Sequence, residues 1–234
     1  MDGAGNLWTA IWPKTLRKLG PEGATLGNWA LPATVPYRGV LADANQVWVA
    51  NGSGISRYTH SGTLAGVTLL PGLAGGLAKD GATGAVWGVA GNRVVKIAAT
   101  GAIKATSAPI SAFVENPYSR LAVGQDGSVW VTVHQEQRVL RLKPDGTLAA
   151  RCKLEGSPLD LTVAASGEAW VSSQIGWLHQ STSADYTWTR RIWKLRPDGV
   201  IEAAYQTTDA GTALAFGPDG ALWSAGRHLT RIAL

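Results

Sequence analysis

The sequence predicts an all-β protein, a β-propeller of six blades with mostly four antiparallel strands each and three in the first and last. Three observations carry this expectation. An apolar residue followed by tryptophan recurs at Leu7-Trp8, Val47-Trp48, Val86-Trp87, Val129-Trp130, Ala169-Trp170 and Leu222-Trp223, at intervals of 40, 39, 43, 40 and 53 residues. Each unit continues into a strand pattern with a basic residue inside it: Lys18, Arg57, Lys96, Arg141, Lys194 and Arg231. Five units then close on a glycine turn, at Pro21-Glu22-Gly23, His60-Ser61-Gly62, Ala99-Thr100-Gly101, Pro144-Asp145-Gly146 and Pro197-Asp198-Gly199.

The strands of one unit follow in order. A short apolar strand such as Leu121-Ala122-Val123 or Ala213-Leu214-Ala215-Phe216 comes first. An Asp-Gly turn, Asp126-Gly127 or Asp219-Gly220, leads into the tryptophan strand. The strand with the basic residue is third, and a Pro-Asp-Gly turn, with glycine supplying positive φ, leads to a fourth. No helical period interrupts the pattern. One such unit cannot cover both of its faces, so each must pack between two neighbours, and a large indole is suited to the gap. The basic stems are expected to pack between blades with their heads outward. A solenoid fits less well, because its repeats are usually shorter than this full meander.

The chain begins at the second strand of the first unit and stops after the third strand of the sixth, which makes 22 strands. The expected blades lie near 2–35, 36–75, 76–117, 118–157, 158–210 and 211–234, in one domain. They are expected to form a closed ring with the two three-stranded blades meeting at a seam. The alternative is a longer protein whose further strands complete the ring.

Composition supports an ordered, aromatic-rich fold. The 234 residues include 29 glycines and 11 tryptophans, 45% are hydrophobic and only 16% charged, which excludes a disordered chain or a coiled coil. No apolar run reaches the roughly 18 residues of a membrane span. The net charge of +5 is scattered, and its densest patch, Arg190, Arg191, Lys194 and Arg196, reads as a solvated strand rather than a specific nucleic-acid site. Cys152 is the only cysteine, expected as a small core residue, so no intrachain disulfide or zinc cluster can form. Residues 1–6 show neither a charged n-region nor an apolar h-region. An extracellular and a cytoplasmic location both remain open.

The phrase Gly217-Pro218-Asp219-Gly220-Ala221-Leu222-Trp223, together with Arg141-Leu142-Lys143-Pro144-Asp145-Gly146, resembles the repeat of streptogramin (virginiamycin B) lyase-like propellers and the related NHL-repeat proteins. The resemblance covers nearly the whole chain. It implies a propeller and, for the lyases, metal-dependent elimination that opens a cyclic ester, with a histidine base and glutamate ligands for magnesium. That family's repeat often reads Leu-Trp-Phe-Thr-Glu. Here the third residue after each tryptophan is Ile11, Asn51, Ala90, Val133, Ser173 or Gly226, none of them acidic. The acidic and asparagine-rich calcium site of gluconolactonase-like propellers is not seen either.

Function in a ring of this kind usually sits on the loops joining second to third strands, and those between blades. Most second-to-third connections are short, as at Ala90-Gly91-Asn92. Blade five differs, running from Gln174 to Arg190 with Trp177, His179, Gln180, Asp185, Tyr186 and Trp188. Aromatics outside the repeat, beside polar neighbours, suit carbohydrate stacking or a protein contact. Blade four places His134, Gln135, Glu136 and Gln137 in the equivalent connection, where His134 and Glu136 could face His179 and Asp185. His60 and His228 are expected as plain surface residues, and Trp12 and Trp29 as cover for the seam. No nucleophile elbow or phosphate loop occurs.

The sequence therefore points to a non-catalytic module binding a protein or glycan through Trp177, His179, Asp185, Tyr186, Trp188, His134 and Glu136, with no cofactor. One alternative is a divergent lyase or hydrolase with a divalent metal near His134, Glu136 and His179. The other is a structural ring in a larger assembly.

Overall fold

The computed structural model describes all residues except 12–13, 33–36, 113, 115–118, 179–185, 208–212, 218, 227 and 233–234, and the backbone alone at 37–38, 74–75, 177–178 and 186–188. Among the described residues it is all-β, with 22 strands in six antiparallel sheets. Sheet one holds β1 (Leu7–Ile11), β2 (Thr15–Leu19) and β3 (Thr25–Ala30). Sheet two holds β4 (Tyr37–Ala42), β5 (Val47–Asn51), β6 (Gly54–Tyr58) and β7 (Leu64–Leu69). Sheet three holds β8 (Leu73–Lys79), β9 (Val86–Ala90), β10 (Arg93–Ile97) and β11 (Ile103–Thr106). Sheet four holds β12 (Leu121–Val123), β13 (Val129–Val133), β14 (Arg138–Leu142) and β15 (Leu148–Lys153). Sheet five holds β16 (Ser157–Val163), β17 (Ala169–Leu178), β18 (Tyr186–Leu195) and β19 (Ile201–Thr207). Sheet six holds β20 (Ala213–Phe216), β21 (Leu222–Ala225) and β22 (Leu229–Ile232). The arrangement of three, four, four, four, four and three strands is the one the repeat predicts.

The core lies between sheets. Each tryptophan-bearing face meets the branched or small face of the next sheet: Trp8 meets Val47 and Val49, Trp48 meets Val86, Trp87 meets Val129 and Val131, Trp130 meets Ala169 and Val171, and Trp170 meets Leu222. Trp48, Trp87 and Trp130 are 0–1% exposed. The period-2 alternation of a strand explains why neighbouring residues serve opposite interfaces. Cys152 is buried in the interface of sheets four and five, as expected, and burial pushes its thiol pKa up.

The basic residues behave differently from expectation. In the first five sheets their heads do not turn outward, while Arg231 of sheet six is exposed. Lys18, Arg57, Lys96, Arg141 and Lys194 lie over the rings of Trp8, Trp48, Trp87, Trp130 and Trp170 at 5.3–6.0 Å from the centroids. The register places them there, since each basic residue is the cross-strand partner of its tryptophan. An indole face attracts a cation, and a carboxylate at the preceding turn holds it. Lys18 pairs with Asp2 at 3.6 Å, Lys96 with Asp80 at 2.8 Å and Arg231 with Asp219 at 3.3 Å. In sheet two the turn carboxylate, Asp43, pairs instead with Lys79 of sheet three at 3.4 Å.

These carboxylates also cap their own turns: Asp2 Oδ1 accepts from the amides of Ala4 and Asn6, and Asp80 Oδ1 from those of Ala82 and Thr83. Burial opposes ionisation of Asp2, Asp43, Asp80 and Asp126. The Trp8 indole N–H at Asp2, Lys96 at Asp80, and elsewhere chiefly hydrogen bonds from the turns with a nearby cation outweigh it and hold each pKa below the usual carboxylate range.

Trp29 corrects another expectation. It stacks on Trp8 at 5.2 Å and packs toward sheet two, not toward the seam, because Gly62 leaves room for it. A Cβ on Gly62 would lie 2.1 Å from the Trp29 ring, and φ there is +81°. His60, whose ring centroid lies 6.0 Å from that of Trp8, is half-buried in the same cluster rather than a plain surface residue. Trp12 lies outside the described residues.

Replacing Trp130 by alanine is expected to cost about 3–5 kcal/mol, the usual loss for a buried large aromatic. The same change at half-buried Trp223 should cost less than half as much, and denaturant unfolding of the two variants measures the difference. Because the turn carboxylates have lowered pKa values in the folded state, their contribution is present above about pH 4 and is lost as pH falls below it. Thermal midpoints recorded from pH 6 down to pH 2 should fall steeply in that lower range.

Candidate functional site

Sheet five breaks the pattern of the ring. Its second and third strands have 10 residues each, against 5 in β13 and β14. Their pairing is continuous from Ala169↔Leu195 to Leu178↔Tyr186. The five additional residues per strand correspond to roughly 17 Å of ribbon beyond the level where the neighbouring hairpins turn.

The foot of this ribbon is anchored. Ser173 Oγ accepts from Trp193 Nε1 at 2.7 Å and donates to the Glu155 carbonyl at 3.3 Å. Ile175 is buried, and it can approach the chain between sheets four and five because residue 156 is glycine. A Cβ there would stand 2.6 Å from the Gln174 carbonyl oxygen and 2.7 Å from Ile175, in a backbone with φ +91°. Arg191 lies over the Trp193 ring at 5.6 Å and forms an ion pair with Glu155. With Lys194 held by Glu202 and Arg196 by Asp198, the basic run of this strand is largely neutralised.

Above the foot, Trp188 occupies the register position opposite Gly176, Trp177 that opposite Thr187, and Tyr186 that opposite Leu178. The expected residues His179 and Asp185 lie outside the described residues.

The β13–β14 turn of sheet four stands beside this foot. His134 Nδ1 lies 2.9 Å from the Pro158 carbonyl oxygen of β16. A carbonyl can only accept, so this nitrogen carries the proton. Glu136 turns the other way. It accepts from Ser111 in the connection from sheet three, and its Oε2 lies 3.4 Å from Arg138 Nη1. The two side chains that sequence reasoning placed together thus serve different neighbours. Gln137, which ends the turn, is the one non-glycine among the described residues with positive φ, at 55°. Such backbone costs of the order of 1 kcal/mol and marks a turn whose shape is held from outside. Here Lys153 Nζ donates to the Glu136 carbonyl and the Leu154 amide to that of Gln137, both at 2.8 Å.

A further acidic group escaped the sequence reading. Asp160 follows Pro158 on the innermost strand of sheet five, where a register shift between the two breaks the regular pairing. Its Oδ2 accepts from the Leu214 amide of sheet six at 2.8 Å. Burial raises its pKa, against the Leu214 and Leu161 amides and the charge of Arg120, which favour the ionised form. Nothing in a lone aspartate within an apolar strand separates it from a surface residue until the sheets are assembled. Exposed His228 is a surface residue, as expected.

No group of three His, Cys, Asp or Glu residues that could hold a metal ion occurs among the described residues. With His134 and Glu136 turned apart, the described residues do not make up the histidine and glutamate set that magnesium would need.

No protein-family model matches the chain. A curated virginiamycin B lyase from Nocardia farcinica (strain IFM 10152) is 32% identical over 133 residues, 56% of this chain and 40% of that protein. The match thus spans well under half of that relative's length. A catalytically inactive virginiamycin B lyase from Staphylococcus aureus, solved with quinupristin, superposes with a TM-score of 0.73 at 17% identity, covering 98% of this chain and 74% of the lyase chain. The chain has a β-propeller fold and is similar to the virginiamycin B lyases. The WD40 domain of Neurospora crassa Pan2 superposes as well, with a TM-score of 0.75 at 11% identity, over 99% of this chain and 73% of the domain. A lyase and a WD40 domain both superpose on this ring, so the ring alone does not specify chemistry.

Because its folded-state pKa is raised, ionised Asp160 lowers stability at neutral pH, and this cost disappears below about pH 4, where folded and unfolded forms are both protonated. Asp160→Asn, which keeps an acceptor for the Leu214 amide, should raise the thermal midpoint at pH 7 and leave it nearly unchanged at pH 3. Asp160→Ala should lower it at both.

Proposed function

We propose that this propeller is a recognition module that binds a protein or glycan on the loops of sheets four and five. The elongated β17–β18 hairpin carries the proposal. It is the one described second-to-third connection built as a long, anchored ribbon, and it brings Trp177, Tyr186 and Trp188 to positions no core requirement of the repeat explains. Tryptophan and tyrosine offer large contact area at low entropic cost, which suits stacking on a sugar ring or filling a partner's pocket. His134 and the strained Gln137 turn would form the neighbouring wall of the surface, with Glu136 at its rim.

A second reading is favoured by the likeness to virginiamycin B lyase over 133 residues: a divergent enzyme acting on a streptogramin-type cyclic ester. In that reading His134 is a described residue available for proton transfer, and a divalent metal would lie near His134, Glu136 and His179.

The two readings separate experimentally. Wild-type protein and the Trp177→Ala/Trp188→Ala variant are applied to an oligosaccharide array and a displayed-peptide library, and their melting is compared. Retention by the wild type, reduced at least tenfold in the variant with a thermal midpoint within about 3 °C, supports recognition. A large loss of stability in the variant, or no retention of either probe class by the wild type, overturns it. Incubation with quinupristin and magnesium tests the enzyme reading, which predicts ring opening that His134→Ala abolishes.

A further inference from the structure

The sequence holds six asparagines, and of these only Asn51 is followed by glycine. Asn6 precedes Leu7, Asn28 precedes Trp29, Asn45 precedes Gln46, Asn92 precedes Arg93 and Asn116 precedes Pro117. An asparagine side chain is open to attack by the amide nitrogen of the next residue. A side chain on that residue hinders the approach, and a proline nitrogen has no proton to give up. Gly52 therefore carries the least hindered nucleophile of the six.

The fold places this pair where the attack can proceed. Asn51 ends β5 and pairs with Gly54 at the start of β6, so Gly52 and Ser53 form a two-residue turn. Gly52 is half-buried and Ser53 exposed, so water reaches the turn. Asn51 Oδ1 accepts from the Ser53 amide at 2.9 Å. That bond holds the side chain over its own turn. It also sets a donor at the oxygen where negative charge gathers when a nucleophile adds to Cγ. Among the described residues no hydrogen bond holds Asn51 Nδ2, the atom that has to leave. The Nδ2 of buried Asn6, by contrast, donates to both carboxylate oxygens of Asp2. Backbone geometry does not demand glycine at 52, since the positive φ of this turn falls on Gly54, at +156°.

We propose that Asn51-Gly52 is a self-modification site of the folded protein, where asparagine converts to aspartate and isoaspartate with water as the co-reactant. The Gly52 amide nitrogen gives its proton to base and forms a bond to Asn51 Cγ. The Cγ–Nδ2 bond breaks, and Nδ2 takes up a proton and leaves as ammonia. Water then opens the five-membered succinimide. Cleavage between the ring nitrogen and Cγ gives aspartate, and cleavage between the nitrogen and the Asn51 main-chain carbonyl carbon gives isoaspartate. One water is consumed, one ammonia is released, and nothing is oxidised or reduced. Either product adds a negative charge to a second-to-third connection, on the face of the ring that carries the corresponding connections of sheets four and five. Isoaspartate also lengthens the main chain by a carbon at a turn held from outside. The Gly72 amide donates to the Gly52 carbonyl at 3.3 Å, the Leu70 amide to the Ser53 carbonyl at 3.0 Å, and the Gly91 amide of sheet three to the Gly72 carbonyl at 2.9 Å. The site lies on sheet two and is independent of the hairpin surface of sheet five.

The test is incubation of the folded full chain at 37 °C, at pH 8.5 and at pH 6, with a urea-unfolded sample alongside. Peptide mass spectrometry reads replacement of –NH2 by –OH at each asparagine, and enzymatic isoaspartate methylation with a labelled methyl donor reads the second product. Conversion in the folded chain is expected at Asn51 ahead of every other asparagine, with both products formed and at least tenfold faster at pH 8.5 than at pH 6. Gly52→Ala, melting like the wild type, should slow it at least tenfold. Asn51 left intact in the folded chain, whether or not it converts in urea, overturns the proposal. So does conversion as fast in Gly52→Ala, or as fast at another asparagine.

Discussion

The fold depends on one contact repeated through the first five sheets: an indole wedged between two small sheets, with a cation over its face and, except in sheet two, a carboxylate behind the cation. Neither sheet face of a single unit can be hidden by the unit itself. Trp48, Trp87 and Trp130 are buried because the next sheet brings Val86, Val129 or Ala169 against them. The basic partner adds attraction to the ring quadrupole and removes an unpaired charge from the interface. Asp2 and Asp80 then join this contact to the backbone of the preceding turn, so packing, charge and turn geometry are coupled in one cluster.

A frame held in this way tolerates elaboration at its rim. The insertion in sheet five lengthens two strands without disturbing their pairing below Ser173, and Trp193 and Ile175 seal the transition. Recognition surfaces on propellers are built on such a division, in which rigid sheets set position and variable connections supply chemistry. The same reasoning explains why similarity to a lyase and to a WD40 domain can coexist in one chain. Both share the propeller fold, and the fold says nothing about what binds at the rim.

Much of this was legible from residues alone. The tryptophan period, the Asp-Gly turns and the alternation of Val129, Val131 and Val133 around Trp130 and Thr132 are local patterns, and they led to the right number of sheets and strands. The unusual length of the fifth hairpin was visible in the 53-residue interval. What misled was direction. Lys96 and Arg141 looked like residues with solvated heads, because a sequence does not show that a turn carboxylate from the same unit lies beside the indole face. Trp29 looked like seam cover, because the space above Gly62 exists only after sheets one and two are packed.

Sequence by itself determined the repeat, its strand order and the residues that alternate between faces, since these follow from the period of an extended chain and from turn stereochemistry. Tertiary structure alone decided which groups meet: His134 with the Pro158 carbonyl, Glu136 with Ser111, Asp160 with the Leu214 amide. Those pairs are 24, 25 and 54 residues apart, and their meeting depends on the angle at which successive sheets pack. That angle is a property of the filled interfaces, not of any one strand.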